Sequence, residues 1–217
     1  MRILTKRWRE EYWLCGLIAC ASLAAAIPAM ASDARPVVLF VGTSLTAGYG
    51  LPSEEAFPAL IQTKIDAEGL NYRVVNAGVS GDTSAGGRRR IDWLLQSPVS
   101  VLVLELGAND MLRGLDPNAM RKNLREIIER ARAKNSNLKL VIAGMRAAPN
   151  LGSKYLDKFE AVYAELAQEY NAALIPFLLE DVAARPKLNQ VDGIHPTAEG
   201  HELVAMRVWN VLEGLLR

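Results

Sequence analysis

The sequence predicts a three-layer α/β/α domain built around a five-stranded parallel sheet. Three observations carry that prediction: five apolar runs of strand length, helix-spaced apolar stripes between them, and glycine-containing turns where the runs end. Val37-Val38-Leu39-Phe40-Val41, stopped by Gly42, reads as a strand buried on both faces, and the pattern recurs at Tyr72 to Val75, Val99 to Leu104, Leu138 to Ala143 and Ala172 to Ile175. Phe57, Leu60, Ile61 and Ile65 make the first helical stripe. Asp82 or Thr83 to Leu95 is helical in spacing, although Gly86 and Gly87 are poor helix formers. Met120, Leu124, Ile127, Ile128 and Ala131 follow an Asp116 cap and a Pro117 first turn. Tyr155, Phe159, Val162, Tyr163, Leu166 and Tyr170 form the next stripe. Val204, Val208, Val211 and Leu215 form the last, in a helix that Pro196 is suited to open. Strands alternating with helices imply right-handed crossovers and helices on both faces. Chemistry then belongs at the carboxyl edge, in the loops after Val41, Val75, Glu105, Ala143 and Phe177. No internal repeat, low-complexity segment or interdomain linker interrupts the pattern.

The first 31 residues stand apart from this domain. Arg2, Lys6, Arg7 and Arg9 precede an apolar stretch from Leu14 to Ala26, and Ala29-Met30-Ala31 has the small-x-small pattern of a signal-peptidase site. Cleavage is expected after Ala31, leaving a single domain over 32–217 in the periplasm or outside the cell. The apolar stretch is short and rich in Ala and Gly, which disfavours a retained membrane span. Leu17-Ile18-Ala19-Cys20 is the alternative signal, a lipoprotein site at Cys20, but the apolar run continues well beyond it. Cys15 and Cys20 are the only cysteines, so the processed chain holds no disulfide, cysteine nucleophile or thiolate metal site. Taking the leader's four basic and two acidic residues from totals of 25 and 24 leaves 21 against 22, a net charge of −1. That balance gives no support for nucleic-acid binding. A monomer is expected.

Both histidines of the chain fall within Asp192-Gly193-Ile194-His195-Pro196 to His201, so a general base near neutral pH is found there or nowhere. Asp192, three residues before His195, can reach one imidazole nitrogen across a single turn and leave the other free for a nucleophile. His201 lies inside a helix without an equivalent acid and reads as a surface histidine; His201-Glu202 does not extend to a metal-binding His-Glu-x-x-His because Ala205 ends it. No metal or cofactor is expected. Ser44 stands at the end of the first strand in Gly42-Thr43-Ser44-Leu45-Thr46-Ala47-Gly48-Tyr49-Gly50, where it is either a nucleophile or a helix cap. The loop lacks the Gly-Lys-Ser/Thr of a phosphate loop, the dinucleotide glycine spacing, and the last glycine of a Gly-x-Ser-x-Gly elbow. Asn76-Ala77-Gly78-Val79-Ser80-Gly81-Asp82-Thr83-Ser84 follows strand two and Glu105-Leu106-Gly107-Ala108-Asn109-Asp110 follows strand three. Together they can aim the amides of Ser44 and Gly81 and the side chain of Asn109 at one oxygen, as acyl transfer requires. Asp110, Met111 and Leu112, with Arg146 and Pro149 after strand four, are expected to wall an acyl pocket. Arg88, Arg89 and Arg90 read as a solvated helix face.

Four ordered blocks, Gly-x-Ser-Leu-Thr-Ala-Gly-Tyr-Gly, Ser-Gly-Asp-Thr-Ser, Gly-Ala-Asn-Asp and Asp-Gly-Ile-His-Pro, resemble those of the SGNH (GDSL) hydrolases. The likeness runs through the whole processed chain and is nearest to small bacterial exported members described as thioesterase I, lysophospholipase and arylesterase. It implies a flavodoxin-like sheet, Ser44 as nucleophile, His195 as base and Asp192 as its orienting acid. It further implies an oxyanion hole from the Ser44 and Gly81 amides and Asn109. The substrate implied is a small or lipid-like ester or thioester, cleaved through an acyl-enzyme. A carbohydrate O-acetylesterase with the same site, and a non-catalytic binding module on the same fold, are the competing readings. The chain departs from the family at Thr43, where aspartate is usual; threonine keeps a hydrogen bond but not the charge.

Overall fold

The computed structural model describes residues 34–217; the expected signal segment and its expected cleavage point fall outside the described residues. Arg35–Arg217 is one compact unit. Its strands are β1 (Val37–Gly42), β2 (Arg73–Gly78), β3 (Val99–Glu105), β4 (Lys139–Ala143) and β5 (Ala173–Ile175). They form one sheet in the order β2-β1-β3-β4-β5, every pairing parallel. The helices are α1 (Ser44–Ala47), α2 (Phe57–Ala67), α3 (Ser84–Leu94), α4 (Ala108–Leu112), α5 (Pro117–Lys134), α6 (Ser153–Glu169) and α7 (Ala198–Leu216). α2 packs on α7, while α3 packs on α5 and α5 on α6. The predicted fold class is therefore the observed one.

β1 is buried at every position and β3 at all but one, as their unbroken Val/Leu/Phe runs require. β2 is an edge strand, half-buried, and continues through Asn76 to Gly78, three residues past the predicted end. The core is contiguous, with Phe40 and Phe57 edge-to-face at 5.6 Å, joining sheet to α2. Asp116 caps α5 by accepting from the Asn118 N–H, and Thr83 caps α3 by accepting from the Gly86 N–H.

The glycines inside α3 mark a close approach. A Cβ on Gly87 would lie 2.3 Å from Leu106 Cδ1, and one on Gly86 1.6 Å from Asp82 Oδ1. Two expectations are corrected. Pro196 does not open the last helix: it bridges to Asn189, and Thr197 caps α7 instead. Arg90 is not on a solvated face, because Asp82 draws its side chain inward to 20% exposure.

The strand order creates the site. After β1 the chain crosses to β2 on one side, and β3 then returns to the other side of β1. The loops leaving β1 and β3 therefore part company at the carboxyl edge and open a crevice between them.

Candidate active site

Thr43 is extended, with φ −100° and ψ −153°, and caps α1 by accepting from the Leu45 N–H. This turn presents Ser44, half-buried, at the crevice between β1 and β3. Beneath it lies a carboxylate that the sequence reading passed over. Glu105, 2% exposed at the end of β3, accepts from the Thr43 N–H at 2.8 Å, the Thr43 hydroxyl at 3.0 Å and the Thr46 hydroxyl at 2.7 Å. Burial pushes its pKa up and these hydrogen bonds pull it back. A charged residue closing the apolar run Val101 to Leu104 was the available signal. The hydroxyl of Thr43 thus links helix cap to buried acid in one bond network.

The histidine comes from the opposite wall, in the turn before α7. Asp192 Oδ1 accepts from the Ile194 N–H at 2.9 Å and the His195 N–H at 3.0 Å, while Oδ2 lies 2.6 Å from His195 Nδ1. The His195 N–H first, then its imidazole, then the Ile194 N–H lower the Asp192 pKa to about 2. An ionised Asp192 selects the tautomer with hydrogen on Nδ1, leaving Nε2 as acceptor toward Ser44 Oγ at 2.9 Å. The Tyr49 ring stands 4.6 Å from the imidazole. Gln190 joins the two loops by donating to the Tyr49 carbonyl at 2.7 Å and the Pro196 carbonyl at 2.9 Å. An imidazole held this way can take the serine proton without turning.

Gly81 occupies the left-handed region at φ +79°, which lets the β2–α3 loop turn toward Ser44. Arg113 donates to its carbonyl at 2.8 Å. Asn109, in the first turn of α4, spends one amide hydrogen on the Asp82 carbonyl at 2.9 Å and keeps the other. Ser44, Gly81, Asn109 and His195 border one cavity of about 620 Å³. Met111, Leu112 and Arg146 also line it, with Met145, Phe177 and Leu179 adding apolar wall. The Arg146 guanidinium lies over Phe177, 4.7 Å from the ring centroid.

Asp110 is corrected. It is 2% exposed and turned away from the cavity, accepting from the Ser84 N–H at 2.8 Å and the Ser84 hydroxyl at 2.5 Å. Its task is to join α4 to the start of α3. Pro149 begins a short 3-10 turn, and its side chain lies outside the described residues. His201 is no surface histidine: at 1% exposure its Nδ1 accepts from the Phe57 N–H at 3.1 Å. Among the described residues no group of three or more His, Cys, Asp or Glu side chains is placed to hold a metal ion.

Comparison with known proteins agrees with this geometry. The model of the GDSL-like Lipase/Acylhydrolase family matches residues 40–203. The chain is 40% identical over 184 residues to esterase TesA of Pseudomonas aeruginosa, covering 84% of this chain and 90% of that protein. It is 39% identical over 174 residues to thioesterase 1/protease 1/lysophospholipase L1 of Escherichia coli, covering 79% and 81%. Among solved structures, AlinE4, described as an SGNH-hydrolase family esterase, superposes with a TM-score of 0.69 at 44% identity, covering 84% of this chain and 97% of that one.

Proposed function

This chain belongs to the GDSL-like lipase/acylhydrolase family, and from that membership we propose that it cleaves esters and thioesters through an acyl-enzyme on Ser44. One observation carries the assignment. Asp192 Oδ2, His195 Nδ1, His195 Nε2 and Ser44 Oγ form an unbroken relay, with links of 2.6 and 2.9 Å, at the mouth of an apolar cavity. His195 takes the Ser44 proton as Oγ attacks the carbonyl carbon, and Asp192 holds and compensates the imidazolium. The oxygen that becomes negative is met by the Ser44 and Gly81 amides and the free hydrogen of Asn109. His195 then passes its proton to the leaving alcohol or thiol, and water repeats the cycle on the acyl group.

The apolar wall of Met111, Met145, Phe177 and Leu179 favours a medium or long acyl chain over acetate. That supports the lysophospholipase and thioesterase activities named for the Escherichia coli relative over a carbohydrate O-acetylesterase. Substrates are therefore lipid-like, with the headgroup or thiol left in solvent.

Hydrolysis of p-nitrophenyl esters from acetate to palmitate, beside Ser44→Ala, tests the reading. A Ser44-dependent rise in kcat/KM from acetate toward medium or long chains is expected, since each CH₂ buried against the apolar wall gains about 0.8 kcal/mol. A sharp acetate preference would transfer the chain to the O-acetylesterase class, and no turnover by folded protein would make it a binding module.

We further infer that residues 1–31 direct export and are removed after Ala31, on the basic start, apolar stretch and Ala29-Met30-Ala31 site. Amino-terminal sequencing of the exported protein should begin at Ser32; acylation at Cys20 would overturn this.

A further inference from the structure

Arg90 projects from α3 behind the site, away from the cavity, and spends its guanidinium on three separate segments. Nε donates to Asp82 Oδ2 at 2.7 Å, Nη1 to the Ala77 carbonyl at 2.7 Å and Nη2 to the Gly42 carbonyl at 3.1 Å. Each segment carries or adjoins one of the proposed oxyanion donors. Gly42 ends β1 two residues before Ser44, Ala77 lies near the end of β2 on the way to Gly81, and Asp82 follows Gly81 directly. The Asp82 carbonyl also accepts the Asn109 amide at 2.9 Å, so the third donor is held through the same residue.

Sheet hydrogen bonding does not do this work alone. The β1–β2 register ends at the Gly42–Gly78 pair, and Ser44 and Gly81 both lie beyond it. Past that rung the loops keep one backbone tie, from the Val79 N–H to the Gly42 carbonyl at 3.0 Å. A planar fork with fixed donor directions sets the spacing of three partners in a way that a single ammonium does not. The missing Cβ at Gly86 belongs to the same device, since it would stand 1.6 Å from Asp82 Oδ1 and drive the carboxylate off Arg90.

We infer that Arg90 is a positioning residue for the oxyanion hole: it fixes the separation of the Ser44 and Gly81 amides and, through Asp82, the aim of Asn109. This rests on the assignment of those donors under the proposed function. Oxyanion donors act only within a few tenths of an ångström of 2.7–3.1 Å. A shift approaching 1 Å costs on the order of a hundredfold in rate.

The test compares wild type, Arg90→Lys, Arg90→Ala and Arg88→Gln on one p-nitrophenyl ester, with each preparation titrated to endpoint by a fluorophosphonate so that only competent sites count. Arg88 pairs with Glu126 on the helix surface and serves as the control. For both Arg90 variants kcat should fall about tenfold to a hundredfold, with KM changed less than about threefold. The affinity of a boronic acid that mimics the tetrahedral oxyanion should fall by the same factor as kcat/KM. Ethylguanidinium at millimolar concentration should restore part of the kcat of Arg90→Ala and none of that of Arg88→Gln. An unchanged kcat per titrated site, or a fall carried wholly by KM, overturns the inference. If Arg90→Ala does not fold, the Arg90→Lys ratio of kcat loss to inhibitor loss decides alone. Ser44→Ala in the same assay separates the two claims: turnover surviving there overturns the acyl-enzyme reading on which the oxyanion assignment rests, whatever Arg90 does.

Discussion

Thr43 sits where the family resemblance leads one to expect an aspartate, and Glu105 explains why a hydroxyl serves there. The Glu105 carboxylate already receives the Thr43 N–H and the hydroxyls of Thr43 and Thr46, so a donor is what position 43 must supply. Thr43→Val deletes that donor and the acceptor for the Leu45 N–H, and should cost about 1–3 kcal/mol in urea melts. Thr43→Asp places a second carboxylate against the first. Like charges raise the pair's pKa values in the folded state, so the variant's stability is present at low pH and is lost as pH rises. Its deficit relative to wild type should widen between pH 4 and pH 8; a constant deficit would sink the argument. Asp192 behaves oppositely. With a folded pKa of about 2, below the 3.8 of a free aspartate, its contribution is present above pH 4 and lost as pH falls toward 2. Asp192→Asn should remove that acid-side loss and, by spoiling the His195 tautomer, lower kcat on the order of a thousandfold. The Asp–His–Ser set was legible in the sequence because Asp192 and His195 are neighbours in the chain. Glu105 and Arg90 were not recognised as part of it, since their roles depend on which strands lie side by side.

Among the elements, α7 is tied to the start of α2 by a buried histidine. His201 Nδ1 accepts the Phe57 N–H, one of the donors a helix cannot satisfy within its first turn, and the two rings stack at 6.1 Å. Burial lowers the His201 pKa from 6.5 to about 4. A base with a depressed folded pKa contributes stability that is complete above pH 6.5 and is lost as pH falls toward 4, here on the order of 3 kcal/mol. Urea melts at pH 7.5 and pH 4.5 should show that loss in wild type. In His201→Phe the protein should be about 1–3 kcal/mol weaker at pH 7.5, with much of the pH dependence gone. On α3 the usual rule inverts. Gly-to-Ala in a helix normally gains about 1 kcal/mol, but Gly87→Ala would set a Cβ 2.3 Å from the buried Leu106 Cδ1 and should destabilise by about 1–3 kcal/mol. Helices with a full apolar stripe, such as α5, were readable from periodicity. The four-residue α1 and five-residue α4 were not, because less than two turns show no period, and they are the helices that carry Ser44 and Asn109.

At the scale of the whole molecule, the apolar runs announced a parallel sheet but not its order, because β1, β3 and β4 are alike in being buried on both faces. By setting β3 next to β1, the arrangement β2-β1-β3-β4-β5 puts their loops on either side of one crevice, so that Ser44 and Asn109 border the same cavity. The same order makes β3 the middle strand, buried at all positions but one, in a sheet whose helices pack as α2 on α7 and as α3 on α5 on α6. No substructure can then be removed while the rest keeps its core, so folding should be all-or-none across 35–217. Residues 32–217 contain no cysteine, hence no covalent staple contributes to that cooperativity. Purified 32–217 polypeptide should accordingly lose ester hydrolysis, near-ultraviolet and far-ultraviolet circular dichroism in a single coincident urea transition, with the same midpoint in dithiothreitol. Leu102→Ala, deleting a fully buried side chain from β3, should move that one transition by about 2–5 kcal/mol without splitting it. Two separated transitions in either protein would mean that the layers on the two faces of the sheet fold independently, and β3 would not be the keystone that its position makes it.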